Sequence, residues 1–296
     1  MPKIVIAGGT GFVGQYLSKK FQHLGYQVIL IGRKEGNIRW TDLMGISTAL
    51  ENAEMLINLA GKSVNCRYTT SNKAKIFSSR TETTSILGRA IKHCDHPPVL
   101  WLNASTATIY RHAEDRPMTE SSGEIGTGFS VEVAKKWEKT FFDFNLTQTR
   151  QIALRMAIVL GTEGGVIQSF KNLVRFGLGG IQGNGKQYFS WIHIEDLFQI
   201  ILFLQKHAEI NGVINCAAPN PIMNRIFMET FRHIMHRKIG LPSPKWLLEI
   251  GALLIGTETE LLLKSRWVIP ERLTELGFTF QFPTITNALS DILAGR

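Results

Sequence analysis

The chain has 296 residues, of which 44% are hydrophobic and 19% are charged, a composition typical of a globular protein with a large core. Its formal net charge of +9 comes from scattered lysines and arginines, which favours a solvated surface and a phosphorylated ligand over nucleic acid. Three isolated cysteines, no signal peptide and no apolar run long enough for a bilayer indicate a cytoplasmic protein without disulfides or membrane spans.

Strands and helices alternate along the first half of the chain. An apolar run predicts a buried strand over Lys3–Ala7, and apolar residues at helical spacing then predict a helix that ends at Gly25. Further strands and helices are predicted over 27–31, 55–60, 70–93, 99–104, 131–145 and 152–158. This alternation predicts an α/β fold with a doubly wound parallel sheet.

The pattern changes after Gly161 and predicts a second, smaller domain. Residues 1–161, joined again by residues 188–218, are expected to form the dinucleotide-binding domain. Residues 162–187 and 219–296 are expected to form a C-terminal cap, with a small strand at Phe278–Phe282. A cleft between the two domains is the expected site for a small-molecule substrate.

The first strand is followed at once by a glycine loop. Gly8, Gly11 and Gly14 have the spacing at which glycine allows a tight turn, close approach to a pyrophosphate and contact between helix and strand. The backbone N–H groups of the following helix would then face the phosphates. The residues predicted to bind a dinucleotide here are Gly8, Gly9, Thr10, Gly11, Phe12, Val13 and Gly14.

The end of the second strand distinguishes the two nicotinamide cofactors. An aspartate or glutamate at this point would bind the ribose 2′-hydroxyl of NAD(H). This chain has no carboxylate at Gly32 or Arg33 and places Arg33 and Lys34 there instead. Because an arginine binds a phosphate through two N–H groups, the pair predicts NADP(H) over NAD(H).

Further motifs resemble those of an extended short-chain dehydrogenase/reductase, and more closely its atypical subgroup called "epimerase family protein". The motifs that carry the resemblance are Asn58-Leu59-Ala60-Gly61, Ala104–Tyr110, Trp191–Asp196, Ser79-Arg80, Trp137-Glu138, Arg155–Gly161 and Pro270–Phe278. The resemblance implies that Asn58, Leu59, Ala60 and Gly61 lie at the cofactor. It also implies that Ser105 or Thr106, at the end of the fifth strand, contacts the cofactor or orients the substrate oxygen.

The tyrosine and lysine that do proton chemistry in ordinary members of that family are missing. The resemblance puts Ser130 in the tyrosine position and Ala134 in the lysine position. Tyr110, Lys136 and Glu132 are the possible substitutes. The predicted catalytic residues are Ser105, Thr106 and Tyr110, while Arg155 and Gln187 are possible polar contacts of the substrate.

Two functions remain open at this point. The first is an NADP(H)-dependent oxidoreductase or epimerase that acts on a small or sugar-nucleotide-like substrate. The second is a regulatory protein, related to cell division, that binds NADP(H) without chemistry. No metal is expected, because His93-Cys94-Asp95-His96 lacks a second cluster that would complete a tetrahedral site. The chain is expected to be a monomer or a homodimer.

Overall fold

The computed structural model describes residues 1–33, 38–244, 248 and 263–295. Their main element is a sheet of seven parallel strands in the order β11-β6-β5-β4-β1-β2-β3. The strands of this sheet are β1 Lys3–Ala7, β2 Gln27–Gly32, β3 Ile38–Arg39, β4 Met55–Asn58, β5 Leu100–Thr106, β6 Arg150–Met156 and β11 Gly212–Cys216. This sheet confirms the predicted α/β fold.

The strand order reverses beside β1, which pairs with β2 on one side and with β4 on the other. In the register, Val5 lies opposite both Ile29 and Leu56. Strands β1, β2 and β3 form one half of the sheet, and β4, β5, β6 and β11 form the other half on the opposite side of β1. The carboxyl ends of β1 and β4 therefore flank the topological switch point, where ligands of such sheets bind.

Helices cover both faces of the sheet. They are α1 Phe12–His23, α2 Leu43–Leu50, α3 Thr70–Lys92, α4 Phe129–Phe142, α5 Ile167–Arg175, α6 Ile194–Lys206, α7 Asn224–Ile234, α8 Glu271–Glu275 and α9 Ile285–Ala294. On one face, Leu17 and Phe21 of α1 pack with Leu197 of α6. On the other face, Leu87 of α3 and Phe141 of α4 bury their apolar surface. Strands covered on both sides are largely apolar, as Ile4–Ala7 of β1 are.

A second apolar core lies in the part of the chain that follows β6. Two small sheets belong to it, made of β7 Ile158–Gly161, β8 Gly164–Gly165, β9 Tyr188–Phe189, β10 Trp191–His193 and β12 Ile222–Met223. Phe170 of α5 contacts Phe227 and Phe231 of α7, and Leu289 of α9 packs against the same cluster. The domain boundaries predicted from sequence stay a prediction.

The segment Phe278–Phe282 is not a strand, so that expectation was wrong. It has no regular secondary structure, and the buried carboxylate of Asp196 holds its end instead. The backbone N–H of Gln281 donates to Asp196 Oδ1 at 2.7 Å, and that of Phe282 donates to Oδ2 at 3.0 Å. The alternating phenylalanines pack on the helix layer, where Phe278 contacts Phe203 of α6, and no partner strand is required.

The two hydrogen bonds of Asp196 lead to a stability prediction. Asp196→Asn keeps one acceptor but turns an amide N–H toward a backbone donor in a buried site. We expect a loss of roughly 1–3 kcal/mol in the free energy of unfolding, the usual cost of an unsatisfied buried group. Urea unfolding measures it.

Asp143→Asn is the matched control for Asp196→Asn. Asp143 pairs with Lys139 at 2.9 Å on the exposed side of α4. Because exposed pairs within one helix contribute about 0.3–0.5 kcal/mol, this variant should stay close to wild type. Equal stability of the two variants would contradict the role given to Asp196.

Candidate functional site

The glycine loop joins β1 to α1 at the switch point. Gly8 has φ +79°, in the left-handed region, and a Cβ there would lie 2.8 Å from the backbone nitrogen of Ala60. A Cβ on Gly14 would lie 2.6 Å from the Cα of Gly9. Glycine is therefore required at both positions, because the loop lies directly against the end of β4 and against itself.

The N-terminus of α1 has no side-chain cap. Its capping residue is Gly11, no side chain accepts a hydrogen bond from the first turn, and that turn contains no acidic residue. A Cβ on Gly11 would meet one atom, Gly8 O at 3.7 Å, so the loop is open at that point. Thr10 is exposed, and Val13 packs into the core. The first N–H groups of the helix and its dipole can accordingly bind a phosphate.

The tip of β2 lies beside this loop, since the N–H of Gly8 donates to Ile31 O at 2.9 Å. Arg33 follows the strand and is exposed. Lys34 lies outside the described residues. The residues of the loop and of the β2 tip thus fit a dinucleotide whose adenosine end carries an extra phosphate near Arg33.

Asn58, at the end of β4, forms its hydrogen bonds inside the protein. Its Nδ2 donates to Asn103 Oδ1 at 2.7 Å and to Thr84 Oγ1 at 3.2 Å, and its Oδ1 accepts from the N–H of Ala60 at 3.1 Å. These bonds set the backbone of Leu59, Ala60 and Gly61 at the edge of the sheet. Asn58 therefore shapes the floor of the site by holding this backbone, and its side-chain amide forms its hydrogen bonds within the protein.

A buried polar network crosses the sheet beyond this floor. Arg155 of β6 donates to both carboxylate oxygens of Glu138, from Nε to Oε1 at 2.9 Å and from Nη2 to Oε2 at 2.7 Å. Ser105 Oγ donates to Glu138 Oε1 at 2.5 Å. Arg155 Nη1 donates to the Tyr110 hydroxyl at 2.9 Å, and that hydroxyl donates to Asn215 Oδ1 at 2.9 Å.

This network accounts for two of the three residues predicted to be catalytic. Ser105 is 4% exposed and its hydroxyl faces Glu138. Tyr110 is 1% exposed, and its hydroxyl uses its proton on Asn215 and an acceptor position on Arg155. Burial raises the pKa of Tyr110, although Arg155 opposes that effect. Arg155, predicted as a possible substrate contact, likewise uses its three guanidinium nitrogens on Glu138 and Tyr110.

Thr106, the third residue, lines a separate cavity of about 60 Å³, the Thr106 cavity. Side chains from β5, α3, α4 and the loop before α3 form its polar and aromatic wall, and the six that matter here are Thr106, Thr108, Tyr68, Arg80, Ser130 and Trp137. Ala134 lies in the same wall. Helix α4 thus presents to this cavity the two positions that hold tyrosine and lysine in ordinary members of the resembling family.

Tyr68 brings a phenol to the position of the missing tyrosine. Its hydroxyl lies 3.5 Å from Ser130 Oγ, and its ring packs edge-on against Phe129 with centroids 5.0 Å apart. Sequence reasoning missed this residue, because 62 positions separate Tyr68 from Ser130. No local pattern marks a tyrosine in a loop as part of a site.

Arg80 is the charged side chain of the Thr106 cavity. Its Nη1 donates to Lys62 O and to Ile76 O, both at 3.0 Å, and its Cζ lies 5.1 Å from the centroid of the Trp137 ring. Trp137 is oriented in turn by its indole N–H, which donates to Thr84 Oγ1 at 3.0 Å. Burial lowers the pKa of Arg80 to about 10.

The two other possible substitutes, Lys136 and Glu132, and the possible substrate contact Gln187 do not line this cavity. Lys136 is on the exposed face of α4, and exposed Glu132 pairs with Lys135 at 3.0 Å. Gln187 is buried and donates from Nε2 to Gln182 O at 2.9 Å. Among the described residues, Tyr68 is the tyrosine that lines the Thr106 cavity.

The described residues contain no group of three histidine, cysteine, aspartate or glutamate side chains that could hold a metal ion. None of the helices described is both long and apolar enough to cross a membrane. His193 forms the cap of α6, where its Nδ1 accepts from the N–H of Glu195 at 3.1 Å. Burial lowers the pKa of His193, although Asp291 and Glu195 oppose that effect.

Comparisons with known proteins agree with this geometry. Residues 4–217 match the model of the NAD dependent epimerase/dehydratase family, and residues 243–292 match a domain of unknown function. The epimerase family protein YfhF of Bacillus subtilis is 31% identical over 99% of this chain and 98% of its own length. The human epimerase family protein SDR39U1 is 30% identical over 99% of this chain and 100% of its own length.

Solved structures give the same result. The crystal structure of human SDR39U1 with NADPH superposes with a TM-score of 0.91 at 30% identity and covers 99% of this chain and 100% of that one. A UDP-N-acetylglucosamine 4-epimerase from Bacillus cereus has a TM-score of 0.77 at 16% identity over 99% of this chain and 95% of its own, which shows the fold alone. The chain therefore belongs to the NAD dependent epimerase/dehydratase family, as an atypical extended short-chain dehydrogenase/reductase of the epimerase family protein subgroup.

Proposed function

We propose that this protein binds NADP(H) and uses it as an oxidoreductase or epimerase of a small or sugar-nucleotide-like substrate. The observation that carries the proposal is the uncapped N-terminus of α1, reached through the glycine loop at the switch point of the sheet. The presence of NADPH in the crystal structure of human SDR39U1 supports it. The residues proposed to hold the cofactor are Gly8, Gly9, Thr10, Gly11, Phe12, Val13, Gly14, Arg33, Lys34, Asn58, Leu59, Ala60, Gly61 and Ser105.

The preference for NADP(H) over NAD(H) is proposed to rest on Arg33. Its exposed guanidinium follows β2, and no carboxylate precedes it at the strand tip. A planar guanidinium matches a phosphate through two parallel N–H bonds, so it would favour the 2′-phosphate. The nicotinamide supplies or accepts hydride when the cofactor is bound.

The remaining chemistry is proton transfer to or from the substrate oxygen. Thr106 and Tyr68 line one cavity, and their hydroxyls are of the kinds that orient an oxygen and exchange its proton. We assign Thr106 the orienting role and Tyr68 the acid–base role. Tyr110 and Ser105 act as positioning residues, because their hydroxyls are used within the buried network.

The residues of the same cavity also support a second function, in which the protein binds NADP(H) without turnover. Ser130 and Ala134 stand where ordinary relatives have tyrosine and lysine, which is what a protein that binds NADP(H) without turnover would show. Such a protein would regulate a partner according to its cofactor state. Turnover separates the two functions, because both require cofactor binding but the second excludes oxidation of NADPH.

The cofactor preference can be measured by calorimetry. Arg33→Ala is expected to weaken NADPH about ten- to a hundredfold, since hydrogen bonds to charged groups contribute about 1.5–3 kcal/mol. NADH affinity should stay unchanged, because NADH lacks the 2′-phosphate. Arg175→Ala, at the exposed end of α5, is the control of equal charge and should bind NADPH like wild type. If wild type binds NADPH and NADH equally, the assignment of Arg33 is wrong.

The acid–base role of Tyr68 can be tested by NADPH oxidation over a panel of carbonyl compounds and sugar nucleotides. Tyr68→Phe is expected to lower kcat about 100-fold or more, because a positioned acid contributes about 10²–10⁴ in rate. NADPH affinity should stay within twofold of wild type.

Tyr110→Phe serves as the comparison for Tyr68→Phe. It should lower stability, because Arg155 and Asn215 lose a buried partner, while kcat falls less than in Tyr68→Phe. The reverse order of kcat would assign the proton transfer to Tyr110. Tight NADPH binding without turnover in the wild type would favour the regulatory function.

A further inference from the structure

The Arg80 guanidinium has hydrogen-bond donors left over. Its Nη1 is occupied by the carbonyls of Lys62 and Ile76, whereas Nε and Nη2 have no acceptor among the described residues. A guanidinium offers five N–H donors in a rigid fork, and buried arginines ordinarily use them. Arg80 lines the Thr106 cavity, and its Nε–Nη2 edge lies beside Gly61, where an added Cβ would be 3.3 Å from Nη2 and 3.4 Å from Nε.

The charge of Arg80 is also uncompensated within the described part of the chain. None of the described carboxylates pairs with it, and the group that interacts with it electrostatically is Tyr68. With a pKa lowered to about 10 by burial, Arg80 is still a cation at neutral pH. A buried cation without a counter-charge is costly, so its environment favours a bound anion.

Arg155, which also lies beside α4, provides the contrast. Arg155 is buried, whereas Arg80 is partly buried, and the fork of Arg155 is closed by both oxygens of Glu138. Two arginines thus lie beside α4. Arg155 is paired with the carboxylate of Glu138, and Arg80 is paired with no described carboxylate.

The walls of the Thr106 cavity are suited to an anion. Among the described residues they contain no aspartate or glutamate, and they present the hydroxyls of Thr106, Ser130 and Tyr68. Thr108, another residue of the wall, accepts hydrogen bonds from two more cationic side chains. Lys264 Nζ donates to its carbonyl at 2.8 Å, and Arg266 Nε donates to its Oγ1 at 3.1 Å. The volume of about 60 Å³ equals roughly two water molecules of about 30 Å³ each, so a small group fits beside the guanidinium.

The position of Gly61 keeps the guanidinium close to the cofactor floor. A Cβ at Gly61 would lie 3.1 Å from Arg80 Cζ, so the glycine allows the arginine to lie against the end of β4. The neighbouring Ala60 contacts Gly8 of the glycine loop. Arg80 therefore lies between the proposed cofactor site and the Thr106 cavity.

We propose that Arg80 binds an anionic oxygen group, a carboxylate or a phosphate, of a ligand held at the Thr106 cavity. This rests on the proposed function, in which that ligand lies next to NADP(H). The anionic group belongs either to the substrate or to the diphosphate of the cofactor, and both would use the open edge of the guanidinium. The substrate class implied by the first source is a carbonyl compound or alcohol with a carboxylate or phosphate.

The experiment titrates inorganic phosphate and pyruvate into the full chain by calorimetry, with and without saturating NADPH. Arg80→Gln removes the charge, and Arg80→Lys keeps the charge but loses the fork. Arg89→Gln, exposed on the same helix, is the control with the same loss of charge as Arg80→Gln. Thermal unfolding of each variant, and NADPH affinity of each, are measured in parallel.

We expect wild type and Arg89→Gln to bind at least one of the two anions equally, Arg80→Gln to bind it at least tenfold more weakly, and Arg80→Lys to lie between. If the anion remains bound beside NADPH and NADPH affinity is unchanged in Arg80→Gln, the group belongs to the substrate. If NADPH displaces the anion and itself binds tenfold more weakly to Arg80→Gln, the group belongs to the cofactor.

Three results would overturn the proposal. One is anion and NADPH affinity in folded Arg80→Gln equal to wild type, with a lowered melting temperature, which would make Arg80 a structural support for Lys62 and Trp137. Another is equal weakening in Arg89→Gln, which would reflect net charge. The third is that wild type binds neither anion and that Arg80→Gln binds NADPH as tightly as wild type does. Failure of wild type to bind NADPH, with the anion still bound through Arg80, would overturn the proposed function and leave the anion site intact.

Discussion

The buried ion pair between Arg155 and Glu138 is the interaction on which the arrangement of the site depends. Its side chains are 11% and 10% exposed, so both charges have left water, and their desolvation is offset only by good geometry and further hydrogen bonds. Two N–H bonds of the guanidinium and one from Ser105 satisfy the carboxylate, and the third guanidinium nitrogen is held by the Tyr110 hydroxyl. The pair ties α4 to the carboxyl ends of β5 and β6. With Glu138 held inward, residues four and eight positions earlier, Ala134 and Ser130, share its face of the helix.

That orientation of α4 leaves room at the Thr106 cavity, because Ser130 and Ala134 are smaller than the tyrosine and lysine of ordinary members of the family. The face of α4 that meets the Thr106 cavity carries a hydroxymethyl and a methyl group, so space is left where a phenol and an ammonium would stand. Tyr68 enters this space from the loop before α3, and Arg80 enters it from α3 itself. A phenol and a cation are thus present at the cavity, supplied by other elements. The two arginines near α4 differ in one respect, since Arg155 has an internal carboxylate and Arg80 has none among the described residues.

Much of the fold was predictable because its signals are local. The apolar run of β1, the glycine loop and the amphipathic α1 follow one another within the first 25 residues, and each reflects the backbone conformation of its own segment. The expected strand at Phe278–Phe282 was wrong for the complementary reason. Its alternation resembles a strand, but none of the described strands pairs with it, and Asp196 from α6 accepts the backbone N–H groups of Gln281 and Phe282. Alternation reports which side chains are buried and does not report whether a partner strand exists.

The sequence by itself determined the parallel α/β sheet, the glycine turn at Gly8–Gly14 and the absence of a tyrosine–lysine pair on α4, because each depends on residues that are close together in the sequence. Only the tertiary structure decided which hydroxyls line a cavity and which are used within the protein. Ser105 and Thr106 are neighbours with the same chemistry, yet one faces Glu138 and the other lines the cavity. Tyr110 has its hydroxyl within a buried network, while Tyr68 reaches Ser130 across 62 positions of sequence. The direction of a side chain at the end of a strand depends on the helix packed over it, and that packing is a property of the whole sheet.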